Sequence, residues 1–562
     1  MKWPKVNFSG CVAWLRKSDN LLLLGILLLA LVLRLWGIGF GLPYTYHFDE
    51  PAYVSSALNL GAGIIGKQPN PTGFPNILFG EYGLYFVIGR VVGIFHSVAH
   101  FEQMYRQDPS VFLLLARITS ATFGSLTVVV VYYLGKLVAN QRIGLLAGLF
   151  QAVAFLHVRD SHYGVPDILM SFWVILTTLF CVLAIKKKSP RFQYLSGLTA
   201  GLSITTKWSA WPIGISLACT LLFLCSDMKP RSIENVFKVI LRVGCGLFCG
   251  ILIGGFQLLA RPVAYWNYAL QELYAGSAGG FGVWLIDTVP GWLFYFKTLD
   301  YGLGNVLFGL SLLGTVGLGY VVLRRRDFTE GIILLFPLFY FGSMGSTRHY
   351  FARYALPLIP FLVIFAAMTL SWITDHIQQR SRAWAMLVLL LLLSLTIVQP
   401  MLYDLRHDTL LTRMDIRTLA KQWIENNISE NAKIAVDWPV HVPPLSTQDQ
   451  PVPYSNRVYD LTIVGGTGLA DHSLDWYREQ GYDYLIASSF IYNIPLVYPE
   501  RNAARRAFYE ELDQNLELVQ SFWPGEVGEE PPFIFDEIYG PVVSLWQRER
   551  PGPVIKIYRL TP

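Results

Sequence analysis

The chain has 562 residues, of which 53% are apolar and only 15% charged, with a mean hydropathy of +0.41. A soluble globular chain is nearer a quarter charged, so this composition excludes an ordinary soluble protein and points to a membrane protein. The net charge of +5 comes from basic clusters beside apolar segments and calls for no nucleic-acid partner.

Crossing about 30 Å of hydrocarbon takes about 20 apolar residues. Eleven such spans are predicted, at roughly 20–39, 111–135, 143–158, 168–185, 193–208, 210–225, 237–259, 303–323, 330–346, 355–373 and 383–400. Lysine and arginine at span ends favour the cytoplasmic side. Lys2, Lys5, Arg16 and Lys17 precede the first span, and Lys186–Lys188, Arg324–Arg326 and Arg380 with Arg382 follow later ones, all on one face. This parity places the N-terminus inside and the C-terminus outside. Arg34 and Trp36 stand where a signal peptide would carry small residues, so an uncleaved first span is expected.

Three external pieces follow from this order. Residues 40–110 hold amphipathic stretches at 51–64 and 77–100 that read as helices lying on the bilayer surface. Residues 261–302 are rich in Tyr and Trp, as an interfacial aromatic belt is. From residue 403 the composition becomes that of a soluble domain, with strand-like KIAV (433–436), YLIAS (484–488) and VIKIY (554–558) alternating with polar helical stretches at 415–426 and 503–516. The expected fold is therefore a polytopic α-helical membrane protein of about 11 transmembrane helices, N-in and C-out. It carries external surface helices and a small C-terminal α/β domain, dividing into a transmembrane domain at 1–402 and an external domain at 403–562. Cys245 and Cys249 sit among Gly246, Gly250 and Gly254, a spacing for close helix packing rather than metal binding.

Ionisable residues in or beside spans are costly, and here they gather at the external side. They include Arg34, Asp49, Glu50, Glu81, Arg117, Asp160, His162, Asp167, Lys207, Arg261, Arg348, His349 and Arg353. A transporter would place its polar site near the midplane; this pattern describes a cavity open to one side. Sugar transfer from a lipid phosphate to a hydroxyl needs a carboxylate to take the acceptor proton and fixed cations to balance the leaving phosphate. Asp49 and Glu50, in HFDEPAYV at 47–54, are candidate bases, although an Asp before a Pro-started helix also reads as a helix cap. Asp167 after Pro166 could equally stabilise a helix start. His162 could be a backbone-bonded rim histidine, and Lys207 could snorkel to the interface. Arg348 and Arg353 could meet an anion or lipid headgroups. Asp160, His162 and Asp167 could hold a divalent metal, but the signal is weak.

HFDEPAYV resembles the first external loop of the membrane C-type glycosyltransferases, which include protein O-mannosyltransferases and bacterial lipid A aminoarabinose transferases. The likeness continues through ARITSATFGSLTVVVVYYLG at 116–135, DSHYGVPDILMSFW at 160–173, GLSITTKWSAW at 201–211 and RYALPLIP at 353–360. The resemblance implies a polyprenyl-phosphate sugar donor, inversion at the anomeric carbon, Asp49 as base and Glu50 as the second acid. It also matches Asp167 to the aspartate opening the fourth span and Lys207 to the lysine ending the fifth. The expected enzyme is a hexosyl- or pentosyltransferase of the bacterial plasma membrane with its active site outside and no required cofactor. In this reading Tyr53, Glu81, Asp160, His162 and Asp167 bind substrate, while Lys207, Arg261, Arg348 and Arg353 hold the donor phosphate. Its partners are the donor, membrane lipid and a protein, lipid or glycan acceptor. FGEYG places Glu81 where the aminoarabinose enzymes carry an external lysine, so Arg261 or the Arg348/Arg353 pair would substitute. The alternative is a transporter or flippase of a lipid-linked saccharide.

Overall fold

The computed structural model describes residues 18–65, 71–227, 232–278, 289–325, 328–348, 351–438, 440–455, 457–465, 468–494 and 502–560. It is an integral multi-pass membrane protein. Among the described residues seven helices are long and apolar enough to cross a bilayer, and Asn20–Leu35 and Gly331–Gly345 are shorter apolar helices.

Of the eleven expected spans, seven meet that length and composition among the described residues, and the other four fall on shorter helices. The 143–158 stretch breaks after Ala152 into helices Gln141–Ala152 and Phe155–Asp160, neither long enough to span. The 193–208 stretch forms a 17-residue helix, Pro190–Thr206, whose SGLTAGLSITT run dilutes its hydropathy. The last span continues past its predicted end, as one helix from Arg382 to Leu411.

Helix Pro190–Thr206 packs against Ile233–Gly255 through glycines on both sides. A β-carbon on Gly246 would collide with the Tyr194 carbonyl oxygen, one on Gly250 with that of Leu198, and one on Gly197 with that of Val243. With little hydrophobic drive between helices in lipid, such backbone approach supplies the dispersion contacts that hold the pair. Gly250→Val is expected to cost about 1–3 kcal/mol through overpacking, seen as a lowered melting temperature of the detergent-solubilised protein. Gly244→Ala, where nothing lies within 4 Å, should leave the melt unchanged.

Residues 40–110 carry three helices, Glu50–Gly61, Gly73–Val91 and Val98–Gln107, where two were expected. Gly93, at φ +82°, turns the chain out of the second helix, and Ser97 opens the third by accepting the His100 N–H at 3.0 Å. In the Tyr- and Trp-rich stretch 261–302, Pro262–Ala278 and Gly291–Leu303 are helical, with residues 279–288 outside those described.

The C-terminal residues form a mixed five-stranded sheet. In chain order its strands are β1 (Lys433–Val436), β2 (Asp460–Ile463), β3 (Tyr484–Ser488), β4 (Glu517–Phe522) and β5 (Ile555–Arg559), with spatial order β2-β1-β3-β5-β4. β1 runs parallel to β2 and β3, and β5 runs antiparallel to β3 and β4. The central strands are the near-continuous apolar runs legible in the sequence; edge strands β2 and β4 are half exposed and carry no such run.

Candidate active site

Asp49 stands at the N-cap of Glu50–Gly61, with Pro51 in the first turn, yet its side chain makes no capping hydrogen bond. The carboxylate points elsewhere, its Oδ2 lying 3.3 Å from Nη2 of Arg353. The Asp49 N–H donates to Nδ1 of His47 at 3.2 Å, which fixes the loop conformation. Burial raises the carboxyl above its ordinary range, while Arg353 and Lys207 act in the opposite direction.

Lys207 and Asp167 reach the same place from two helix ends. Asp167 opens helix Asp167–Lys187 after Pro166, and Lys207 follows Thr206, where Pro190–Thr206 ends. Lys207 Nζ donates to Asp167 Oδ1 at 2.5 Å, so this lysine is paired rather than snorkelling. The ammonium also lies 4.6 Å from the centre of the Tyr354 ring. Arg353 lies 5.7 Å from that ring, 4.4 Å from Phe351 and 4.0 Å from Tyr539. Its Nη1 is buried without a hydrogen-bond partner. Two carboxylates and two cations thus form one cluster whose charges balance, with a guanidinium donor left over.

Tyr53, half buried on the helix that follows Asp49, borders this cluster. Its phenol feels Asp49, Asp167 and Arg353, and burial raises its pKa. Asp160 lies at its other margin, 3.2 Å from Arg159. Burial pushes that carboxyl up to about 7 against the pull of Arg159, with Asp167 and Arg353 also within electrostatic reach.

Other predicted site residues are placed elsewhere. Glu50 is fully buried, accepting from Arg117 Nε and Nη2 at 2.8 Å each and from the Gly164 N–H at 2.8 Å. Its carboxylate is therefore consumed in tying the loop after the first helix to helix Ser110–Val138, and adjacency in sequence put the two acids on opposite duties. Glu81 accepts from the Thr119 hydroxyl at 2.7 Å, and no described contact joins it to Asp49. His162 is buried between the carbonyls of Val158 and Trp36, away from the cluster. Arg261 is exposed beside Tyr265, and Arg348 is exposed beyond helix Phe328–Gly345. His349 lies outside the described residues.

The C-terminal domain supplies parts that no sequence pattern announced. Asp536 accepts from Arg159 Nη1 at 2.8 Å and from the Ala352 N–H at 2.9 Å. It thereby anchors the turn Ala352–Leu358 that carries Arg353 and Tyr354. Tyr539, three residues further along in FDEIYG, covers the Arg353 guanidinium. Only the basic RHYFARYALP stretch marked one partner of these contacts; the other lies nearly two hundred residues downstream in the short 3-10 helix Phe535–Tyr539.

Residues 113–252 match the family model described as dolichyl-phosphate-mannose-protein mannosyltransferase. A curated relative, dolichyl-phosphooligosaccharide-protein glycotransferase 2 of Pyrococcus furiosus, is 25% identical over 212 residues, which are 36% of this chain. The chain spans only 27% of that relative's length. The apo oligosaccharyltransferase of Archaeoglobus fulgidus superposes with a TM-score of 0.55 at 13% identity, over 86% of this chain and 72% of that one. The same enzyme, AglB, in complex with an inhibitory peptide and a dolichol-phosphate gives 0.54 at 14% identity, over 87% and 72%. ArnT of Cupriavidus metallidurans bound to undecaprenyl phosphate aligns over 96% of this chain and 97% of its own, at 13% identity and a TM-score of 0.49. The superposition on the Archaeoglobus fulgidus enzyme shows that this chain shares the fold of that oligosaccharyltransferase, and the family match falls on the core helices of that fold.

Proposed function

We propose that the protein transfers a sugar from a polyprenyl-phosphate donor to an acceptor hydroxyl at the external face of a bacterial plasma membrane, in one inverting displacement. The observation that carries this reading is the meeting of a raised carboxylate, Asp49, with two cations, Lys207 and Arg353, in one cluster. The family match and the dolichol-phosphate complex of the structurally similar AglB support a lipid-phosphate donor. The basic clusters at span ends support the external placement.

Asp49 takes the acceptor hydroxyl proton as the oxygen attacks the anomeric carbon. The bond from that carbon to the phosphate oxygen breaks, and its electron pair leaves on the polyprenyl phosphate. Lys207 and Arg353 balance the charge that grows there, the open Nη1 of Arg353 being a ready donor. Asp167 holds the Lys207 ammonium in place, and the Tyr354 and Tyr539 rings limit the Arg353 fork to one plane.

The test is incubation of the purified protein with labelled polyprenyl-phosphate sugar and an envelope extract, followed by mass analysis. A new glycosidic product is expected; intact donor that merely changes leaflet in liposomes would establish the transporter instead. The pH profile is a second check. A base must be ionised, and burial raises Asp49, so kcat/KM should climb with pH across an inflection above the ordinary aspartate value of about 3.9. Activity is present above that inflection and lost below it, and a profile flat from about pH 4 upward would contradict the assignment.

A further inference from the structure

A second polar cluster lies where the first external loop, the turn after Phe155–Asp160 and the outer end of helix Arg382–Leu411 meet. Its core is His162, His407 and Asp408, all fully buried, with a ligand atom of each within 4.8 Å of the others. The hydrogen bonding of His162 is the informative feature. Its Nδ1 lies 3.0 Å from the Val158 carbonyl oxygen, and its Nε2 lies 3.0 Å from that of Trp36 and 3.3 Å from Asp408 Oδ1. A neutral imidazole donates from one nitrogen only. With Nδ1–H given to Val158, the Nε2 lone pair faces two oxygens that are also acceptors, an arrangement that a proton or a metal ion between them would satisfy.

His407 completes the set. Its Nδ1 is 3.2 Å from the same Asp408 Oδ1, while its Nε2 is 3.4 Å from the Tyr163 hydroxyl. Zinc bonds of about 2.0–2.2 Å in a tetrahedron put neighbouring ligand atoms about 3.3–3.6 Å apart, close to the 3.0, 3.2 and 3.3 Å separations here. Both histidines also have the outer partner that metal-bound imidazoles use to fix their tautomer, the Val158 carbonyl and the Tyr163 hydroxyl. Unpartnered carboxyl oxygens around the site would also accept a cation. Asp408 Oδ2 and both oxygens of Asp404, one helical turn away, have no hydrogen-bond partner. Near these two carboxyls stands the Arg34 guanidinium, whose Nη1 and Nη2 donate to the carbonyls of Ala30, Gln151 and Ala152 and to His157 Nδ1, while its Nε has no partner.

We propose that His162 Nε2, His407 Nδ1, the Asp408 carboxylate and the Trp36 carbonyl form a structural site for a zinc-class divalent cation. It shares no residue with the Asp49 cluster. The site clips the exit of the first helix and the 155–162 turn to the last membrane helix, just before that helix leads into the external sheet domain.

The full-length protein, purified in detergent without chelator or added metal, should contain about one zinc per chain by elemental mass spectrometry, a closed four-ligand site being held tightly. Chelator should lower its melting temperature by several degrees, and zinc chloride, not magnesium, should restore it. His407→Ala and Asp408→Asn should lose the zinc, and Asp49→Asn should keep it. Should those first two variants fail to fold, the wild-type zinc content and chelator melt still decide the matter. Wild type with only trace zinc and a melt unmoved by chelator or zinc would overturn the proposal and leave His162 as a buried imidazolium. Zinc lost from Asp49→Asn but kept in His407→Ala would also overturn it, by moving the metal to the other cluster.

Discussion

Asp49→Asn should purify as a folded protein with its melt unchanged and transfer sugar about 10²–10⁴-fold more slowly than wild type, the usual range for a lost general base. The near-isosteric amide keeps the loop intact because the side chain caps no helix; the backbone bond to His47 survives the change. What disappears is the site for the acceptor proton and one partner of Arg353. The loss should fall on kcat more than on donor binding, because Lys207 and the freed Arg353 still hold the phosphate. Measured rates of the purified variant in the labelled-donor assay decide this. Transfer at the wild-type rate would remove Asp49 from the role of base.

The neighbouring residue gives the opposite phenotype. Glu50→Ala should destabilise the protein by ~3–5 kcal/mol, because it leaves the Arg117 guanidinium buried and uncompensated. Arg117→Ala should do the same from the other side. Replacing both, as Glu50→Leu with Arg117→Met, should recover part of the loss, since no unpaired charge stays buried, while the Gly164 N–H and the Ile38 and Phe40 carbonyls still lose their partners. The checks are thermal melts and the activity per folded molecule. If Glu50→Ala instead melted like wild type and lost only kcat, Glu50 would belong to the reaction and not to the scaffold.

That contrast shows how far the chain could be read unaided. Asp49 and Glu50 are adjacent carboxylates in one motif, and nothing in HFDEPAYV distinguishes them. The helix that starts at Glu50 turns successive side chains by about 100°, so one acid faces the Arg353 cluster and the other faces helix Ser110–Val138. Lys207 and Asp167 were legible as outer-rim charges, but their pairing depends on two helix ends meeting. Glu81 had the same signal and found only Thr119.

Helix length was overestimated where apolar composition and helix continuity part company. Residues 143–158 are apolar enough on average, yet the helix stops at Ala152 and restarts at Phe155. The Arg34 guanidinium explains the break's persistence, because it binds the Gln151 and Ala152 carbonyls that a helix end leaves open. The glycines of 197–201 and 246–254, by contrast, stated their packing outright, since only residues without side chains allow backbones so close.

By itself the sequence determined that this is a membrane protein, where its apolar helices and central strands lie, and which side gathers the charges. Those properties follow from local composition and periodicity, which short stretches of chain carry in full. The tertiary structure alone decided which charges are partners: Arg353 with Asp49 under Tyr539, Glu50 with Arg117, and His162 with Asp408. Each of these joins residues from 67 to more than 240 positions apart, and the energy of a buried charge depends on what surrounds it in space, which no local pattern encodes.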